Sequence, residues 1–470
     1  MSVLEKTSQV SIAPHGAATA RGHLATEFAD TLKLAAPMAL TQLGQIVMMT
    51  IDLALIGHLG DEAIAAAALA NTVYFVSFTL GMGVVSAVAP LAAQAYGARN
   101  PHRVRRSLRV GLWAALLISL PMMIFPLYGE QILRMLGQAE TPARLAQHYL
   151  LGLVWGATPA LWLIAIRGFM GALNRPEPVL WITLAAIPAN AALVYLLING
   201  AWALPPLGLF GAGIAATIVN FGMFLAGLWF AVARRPFAKY RVLGHIWHID
   251  WAMMRQLMAI GAPISIAFML EYGLFSAAAL LTGLIGTTAL AAHQIALQVT
   301  AILFMVPLGI GMAATVRVGH AVGRNDAAGV KRAGLAAVSL GILLGAGLTA
   351  MVILGRFAIA RFFLGNEDGG GDAAVALAAT LLLVGATLFI TDGLQTILAG
   401  SLRGLKDTRI PLLFAAISYW LIGFPAAWGL AFPAHLGAVG VWIGLSLGTL
   451  VYAALLSLRF LRLANRFAAS

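Results

Sequence analysis

Ile260-Gly-Ala-Pro-Ile-Ser-Ile-Ala-Phe-Met-Leu-Glu-Tyr-Gly-Leu-Phe275 is an apolar helical run broken by one carboxylate, Glu271. The run Leu381-Leu-Leu-Val-Gly-Ala-Thr-Leu-Phe-Ile-Thr-Asp-Gly-Leu394 repeats the pattern with Asp392, and a third acid, Asp52, sits near the end of the first such run in the chain. An ionisable acid at the middle of a bilayer costs about 2.5–3.5 kcal/mol on insertion scales, so its first reading is functional.

Composition places these runs in a membrane. Hydrophobic residues make up 61% of the chain and charged ones only 10%, with a mean hydropathy of +0.91, far outside the soluble globular range. A spanning helix needs about 20 apolar residues for a hydrocarbon core of about 30 Å. Twelve such stretches begin near Thr31, Ile64, Leu108, Ala143, Val179, Leu207, Met254, Thr288, Val330, Ala373, Ile410 and Gly437. They are rich in Leu and Ala and lack the alternation of an outer-membrane barrel. Helices therefore satisfy the backbone, and the fold class is an all-α integral membrane protein of twelve transmembrane helices.

Basic residues in short loops mark the cytoplasmic side. Most of the 29 Lys and Arg fall after even-numbered helices: Arg99, Arg103, Arg105, Arg106 and Arg109; Arg167 and Arg175; Arg234, Arg235, Lys239, Arg241 and Arg255; Arg317, Arg324, Lys331 and Arg332; Arg403, Lys406 and Arg409. Loops after odd-numbered helices carry only Arg134, Arg144, Arg356 and Arg361. Both termini are expected inside, in a cell (inner) membrane. The net charge of +12 is accounted for by topology and anionic headgroups rather than by nucleic acid. Residues 1–30 are polar and mixed, without a signal-peptide core, and are expected to be a poorly ordered tail. Zero cysteines exclude disulfides and thiolate metal sites.

The chain repeats itself. At an ungapped offset of 226, Pro37 meets Pro263, Gly57 meets Gly283, Gly60 meets Gly286, Ala65 meets Ala291 and Gly97 meets Gly323; Val104-Arg-Arg106 falls on Val330-Lys-Arg332. Two six-helix pseudo-symmetric lobes follow: an N-lobe over 31–233 and a C-lobe over 254–463, joined by a linker over 234–253 and followed by a short tail over 464–470. Because six is even, both lobes share one orientation. This is the parallel-repeat plan of transporters, with sites near the midplane between rocking lobes. Fifty glycines suit helices that approach closely and slide.

Three segments resemble the multidrug and toxic compound extrusion (MATE) family, in particular its NorM-like branch. They are Ile51-Asp-Leu-Ala-Leu-Ile-Gly-His-Leu-Gly60; Ala291-Ala-His-Gln-Ile-Ala-Leu-Gln298 with the downstream Ala314-Thr-Val-Arg-Val-Gly319; and Thr391-Asp-Gly-Leu-Gln395 running to Arg403-Gly-Leu-Lys-Asp-Thr408. The resemblance spans about Leu32 to Leu461 and implies export of cationic, amphipathic drugs and organic cations in exchange for H⁺ or Na⁺. It implies cation coupling at Glu271 and Asp392, a bound Na⁺ being one expectation there, with Asp52 as the N-lobe acid. Leu388 stands where one family pattern has a tyrosine, one turn before Asp392, which favours H⁺.

The residues support this chemistry directly. Glu271 lies sixteen residues from Arg255, about 24 Å along its helix and near mid-membrane. Asp392 lies eleven residues from Arg403 on a helix running the other way, so the two acids can share a depth. Two carboxylates close together in low dielectric repel each other and each loses hydration. A proton, a Na⁺ or a cationic substrate relieves both penalties. Such ligands compete, as antiport requires.

Other polar groups have a functional and a plainer reading. His293 reads as a proton relay or as packing, and its neighbour Gln294 points elsewhere around the helix. Asn190, Thr217 and Asn220 read as partners of Asp52 or as glue between helices. Tyr272 and other aromatics read as a cation-binding wall or as core. Asp52 itself reads as an interfacial residue if it is not a coupling acid.

The repeat distinguishes the lobes in charge, since the position matching Glu271 is Gln45. Ion coupling is therefore expected chiefly in the C-lobe. A lipid-linked precursor flippase of the same architecture is the alternative, but its anionic cargo needs Arg or Lys inside, and every basic residue reads as loop, terminus or helix end. An enzyme is not expected, for no His-Glu-x-x-His, Gly-x-Ser-x-Gly or Walker-type loop occurs. No cofactor beyond the coupling ion and no protein partner is expected; the chain reads as a monomer in contact with membrane lipid.

Overall fold

The computed structural model describes residues 16–201, 203–364 and 371–469. Among them, twelve helices are long and apolar enough to cross a membrane. They are α1 (Gly16–Gly57), α2 (Asp61–Gly97), α3 (Pro101–Leu127), α4 (Glu140–Ala172), α5 (Glu177–Asn199), α6 (Gly208–Ala233), α7 (Trp251–Ile285), α8 (Thr287–Gly323), α9 (Ala327–Leu364), α10 (Gly371–Gly404), α11 (Arg409–Ala431) and α12 (Gly437–Ala469). Three of them change pitch: α2 turns at Ala87, α4 tightens over Val154–Gly156, and α11 widens into a π-helix over Ala416–Gly423.

The 226-residue repeat governs local structure. Asn100 caps α3, its Oδ1 accepting from Arg103 N at 3.0 Å, and its repeat-mate Asp326 caps α9 by accepting from Gly329 N at 2.8 Å. Gly60 and Gly286 open α2 and α8 with φ of 113° and 156°, angles that any side chain resists.

The lobes meet along α1 with α8 and α2 with α7, two contacts that exchange under the repeat. Each rests on glycines that let backbones touch. A Cβ on Gly83 would lie 2.5 Å from the backbone of Ser265, and one on its mate Gly309 would lie 2.7 Å from Ala39 N, Ala39 being the mate of Ser265. At the other crossing, a Cβ on Gly97 would sit 2.3 Å from the His320 carbonyl oxygen, and one on Gly323 would sit 2.1 Å from that of Gln94. Gln94 Nε2 donates to Gly404 O, at the end of α10, at 2.7 Å. Its mate His320 places Nε2 2.6 Å from Ala172 O, at the end of α4. These ties lie toward the face carrying the loops after even-numbered helices, called here the basic face.

Several boundaries differ from the sequence expectation. Helix α1 begins at Gly16, so the expected tail over 1–30 is helical in its second half, held where Arg317 Nη2 pairs with Glu27 Oε2 at 2.6 Å; residues 1–15 lie outside the described residues. The expected tail over 464–470 continues α12 to Ala469. The linker is shorter, since Trp251 already starts α7 under an Asp250 cap. Arg109 binds that linker through Gly244 O and His245 O, at 2.7 and 3.0 Å. Helices such as α8, with 37 residues, exceed 50 Å at 1.5 Å per residue and outrun the hydrocarbon. Arg103, Arg167, Arg317, Arg403 and others therefore stand on helical turns rather than in loops.

Candidate functional site

Glu271 on α7 and Asp392 on α10 come together, joined by a residue of α10 one turn after Asp392. Gln395 Nε2 donates to Asp392 Oδ1 at 2.7 Å and to Glu271 Oε1 at 3.0 Å. An amide nitrogen has two hydrogens, one for each carboxylate, and ionised carboxylates only accept, which sets the orientation of the amide. Its Oε1 accepts from Tyr419 OH at 2.9 Å. Asp392, Gln395 and Tyr419 are buried, at 4%, 1% and 1% exposure, and Glu271 is half-buried.

Tyr419 comes from the π-helical stretch of α11, a geometry frequent at functional sites. The Tyr452 ring of α12 meets it edge-on at 5.1 Å, and Thr391 shares a 2.7 Å hydrogen bond with Thr449 beside the acid. Leu388 is fully buried in the C-lobe core, so position 388 brings no side-chain oxygen to the site. Among the described residues no three His, Cys, Asp or Glu side chains converge as metal ligands. The site thus offers two carboxylates to a small monovalent cation, a proton or an organic cation.

Asp52 sits in the other lobe. Asn190 Nδ2 donates to its Oδ1, and Asn190 is buried, so these two are brought together. Thr217 and Asn220 are not partners of this pair: Thr217 Oγ1 donates to Gly152 O at 2.7 Å, and both residues pack at Gly156, where α4 tightens. They are glue between α4 and α6.

His293 is set apart from the acid pair. It is fully buried, and its Nδ1 accepts from Trp442 Nε1 at 3.0 Å. Gly393 packs on Pro307, so His293 lies fourteen residues, about 21 Å, further along α8 from the level of Asp392. Gln294 is on the exposed side of α8. Tyr272, next to Glu271, crosses to the other lobe and meets the Phe75 ring at 5.0 Å.

Sequence reasoning missed Gln395 and Tyr419. Gln395 carried a signal, a polar residue three after the acid and so on the same helical face; Tyr419 carried none, because an α-helical count aims it elsewhere. Two basic residues also lie deeper than expected. Arg167 Nη1 donates to Gln42 Oε1, and the Arg403 guanidinium lies 4.9 Å from the Phe268 ring, one turn from Glu271.

Comparison with known proteins gives a consistent picture. Residues 37–196 and 263–428 match the MatE family, and the two matched segments start 226 residues apart. A Bradyrhizobium diazoefficiens protein named "Probable multidrug resistance protein NorM" is 66% identical over 446 residues, covering 95% of this chain and 96% of that one. The "Multidrug resistance protein NorM" of Burkholderia vietnamiensis is 39% identical, covering 94% and 96%. Among solved structures, a eukaryotic MATE transporter, AtDTX14, superposes with a TM-score of 0.84 at 22% identity, covering 94% and 98%. The fold, the paired acids and these relatives lead to one assignment: the chain belongs to the MatE family, as a NorM-like multi-pass membrane transporter.

Proposed function

We propose that this transporter is a cation-coupled antiporter that exports cationic, amphipathic compounds in exchange for H⁺ or Na⁺ by alternating access. The observation that carries this reading is the bridged pair Glu271–Gln395–Asp392, two acids on different helices within one amide's reach. The names of the NorM relatives support the multidrug substrate class. A cation entering the site neutralises the acids and displaces the organic cation, and release of the first readies the site for the second. Asp52, held by Asn190, is a secondary acid on the N-lobe side. Leu388 in place of an oxygen-bearing side chain favours H⁺ as the coupling ion.

In this reading the basic face is cytoplasmic, the membrane is the cell's inner membrane, and a single chain supplies both lobes of the pathway. The protein is a transporter and not an enzyme. The test is reconstitution in liposomes with an imposed H⁺ or Na⁺ gradient, following ethidium efflux. Wild type should respond to one gradient, while Glu271→Gln and Asp392→Asn should lose that response. Variants that transport as well as wild type would remove the acids from the mechanism, and efflux indifferent to both gradients would point to a facilitator or a flippase.

A further inference from the structure

Arg403 ends α10 with its guanidinium on the face of Phe268, at 4.9 Å. Phe268 is three residues before Glu271 on α7, so the two side chains are neighbours on one helical face. The guanidinium therefore stands one turn from the carboxylate and acts on it electrostatically. No ion pair within 4.0 Å joins them among the described residues, so the carboxylate oxygens stay free for other partners. Among the described residues, Tyr419 and Tyr452 stand at the cluster and Tyr272 follows Glu271; all three are neutral phenols at ordinary pH.

We propose that Arg403 is the fixed counter-charge of the coupling site, so that the site takes up one monovalent cation per cycle. Two ionised carboxylates carry two negative charges, and one tethered guanidinium leaves a single charge for a mobile cation to neutralise. The ring of Phe268 holds the guanidinium one turn away, where it contributes charge without occupying the site. Arg403 is thus a positioning residue that sets stoichiometry, and this inference rests on the cation-coupled reading above.

The experiment counts cations bound to the full-length protein in detergent, as ²²Na⁺ at alkaline pH and as protons taken up between about pH 9 and pH 6 without Na⁺. The Glu271→Gln/Asp392→Asn double variant serves as the blank for everything bound elsewhere, Asp52 included. Wild type should exceed the blank by one cation, Arg403→Gln by two, and Arg403→Lys by one. The double variant Arg403→Gln/Asp392→Asn should return the count to one, a charge rescue that a merely structural role would not produce. In proteoliposomes, the Hill coefficient of ethidium efflux against the coupling cation should move from about 1 to about 2 in Arg403→Gln. An unchanged count in Arg403→Gln, or no return in the charge-rescue variant, overturns the proposal. A wild type that binds no more than the blank under either condition overturns the coupling reading itself.

Discussion

Gln395 is the residue on which the acid pair depends, because among the described residues it alone donates to both carboxylates, while accepting from Tyr419. Replacing it by Leu takes this partner from the buried Asp392 and the buried Tyr419 hydroxyl, each costing about 1–3 kcal/mol, and from the half-buried Glu271. Gln395→Leu should therefore lower thermal stability in detergent, read as a fall in melting temperature, and a saturating coupling cation should restore part of the loss. A melting temperature equal to that of wild type would mean that the amide bridge is unimportant. Asp52 offers a parallel at smaller scale, since Asn190 donates one hydrogen bond to it. Asn190→Leu should weaken ethidium efflux several-fold without removing its gradient dependence, a result checked in the same proteoliposome assay; complete loss of coupling would make Asp52 a primary acid.

At the level of helices, the crossing of α2 and α8 is the tightest constraint between the lobes. A Cβ on Gly97 or Gly323 would fall 2.3 or 2.1 Å from a carbonyl oxygen, so neither site can take even a methyl group without backbone movement. Gly323→Ala should force the lobes apart at the basic face at a cost of about 1–3 kcal/mol, and cysteine accessibility at Gln94→Cys should rise. No change there would mean that the crossing yields elsewhere. These glycines were legible in the sequence because both lobes keep them in one register, as were Glu271, Asp392 and Asp52, charges standing alone in apolar runs. Asn190 was legible for the same reason in weaker form. Arg403 and Arg167 were not, because hydropathy ends a span where charge begins, while the helix continues and can turn an arginine inward. Tyr419 was hidden by the π-helix, which changes the residue count per turn, and the place of His293 was open because a periodic pattern gives a face but not the depth at which helices meet.

For the whole molecule, the repeat makes the lobes alike and a clasp centred on Arg317 and Glu27 makes their closure unlike. Arg317 of α8 donates to Glu27 O at 2.7 Å and to Thr31 Oγ1, and pairs with Glu27 Oε2 at 2.6 Å. Its repeat-mate is Leu91, so among the described residues α2 makes no such clasp to α7, whose capping Asp250 pairs instead with Arg106 of α3. Beside the Arg317 clasp lies a cavity of about 450 Å³ between the lobes, lined by Asp30, Lys33, Asn174, His320 and Arg332 among others. Opening the molecule on the basic face requires this clasp to break, whereas opening on the other face leaves it intact. With side chains 16% and 22% exposed, charged hydrogen bonds of this kind contribute about 1–2 kcal/mol after screening. That is a 5- to 30-fold population ratio. Arg317→Gln should shift the lobes toward basic-face opening by about that factor, seen as longer distances between spin labels at Arg175→Cys and Ala328→Cys in a chain with no cysteine of its own. Raising the salt concentration should move wild type in the same direction and the variant less, because among the described residues the variant keeps only the longer Arg332–Glu27 pair of this clasp, at 3.9 Å. Identical distance distributions in the two proteins would show that the apolar and glycine contacts hold the basic face shut without Arg317.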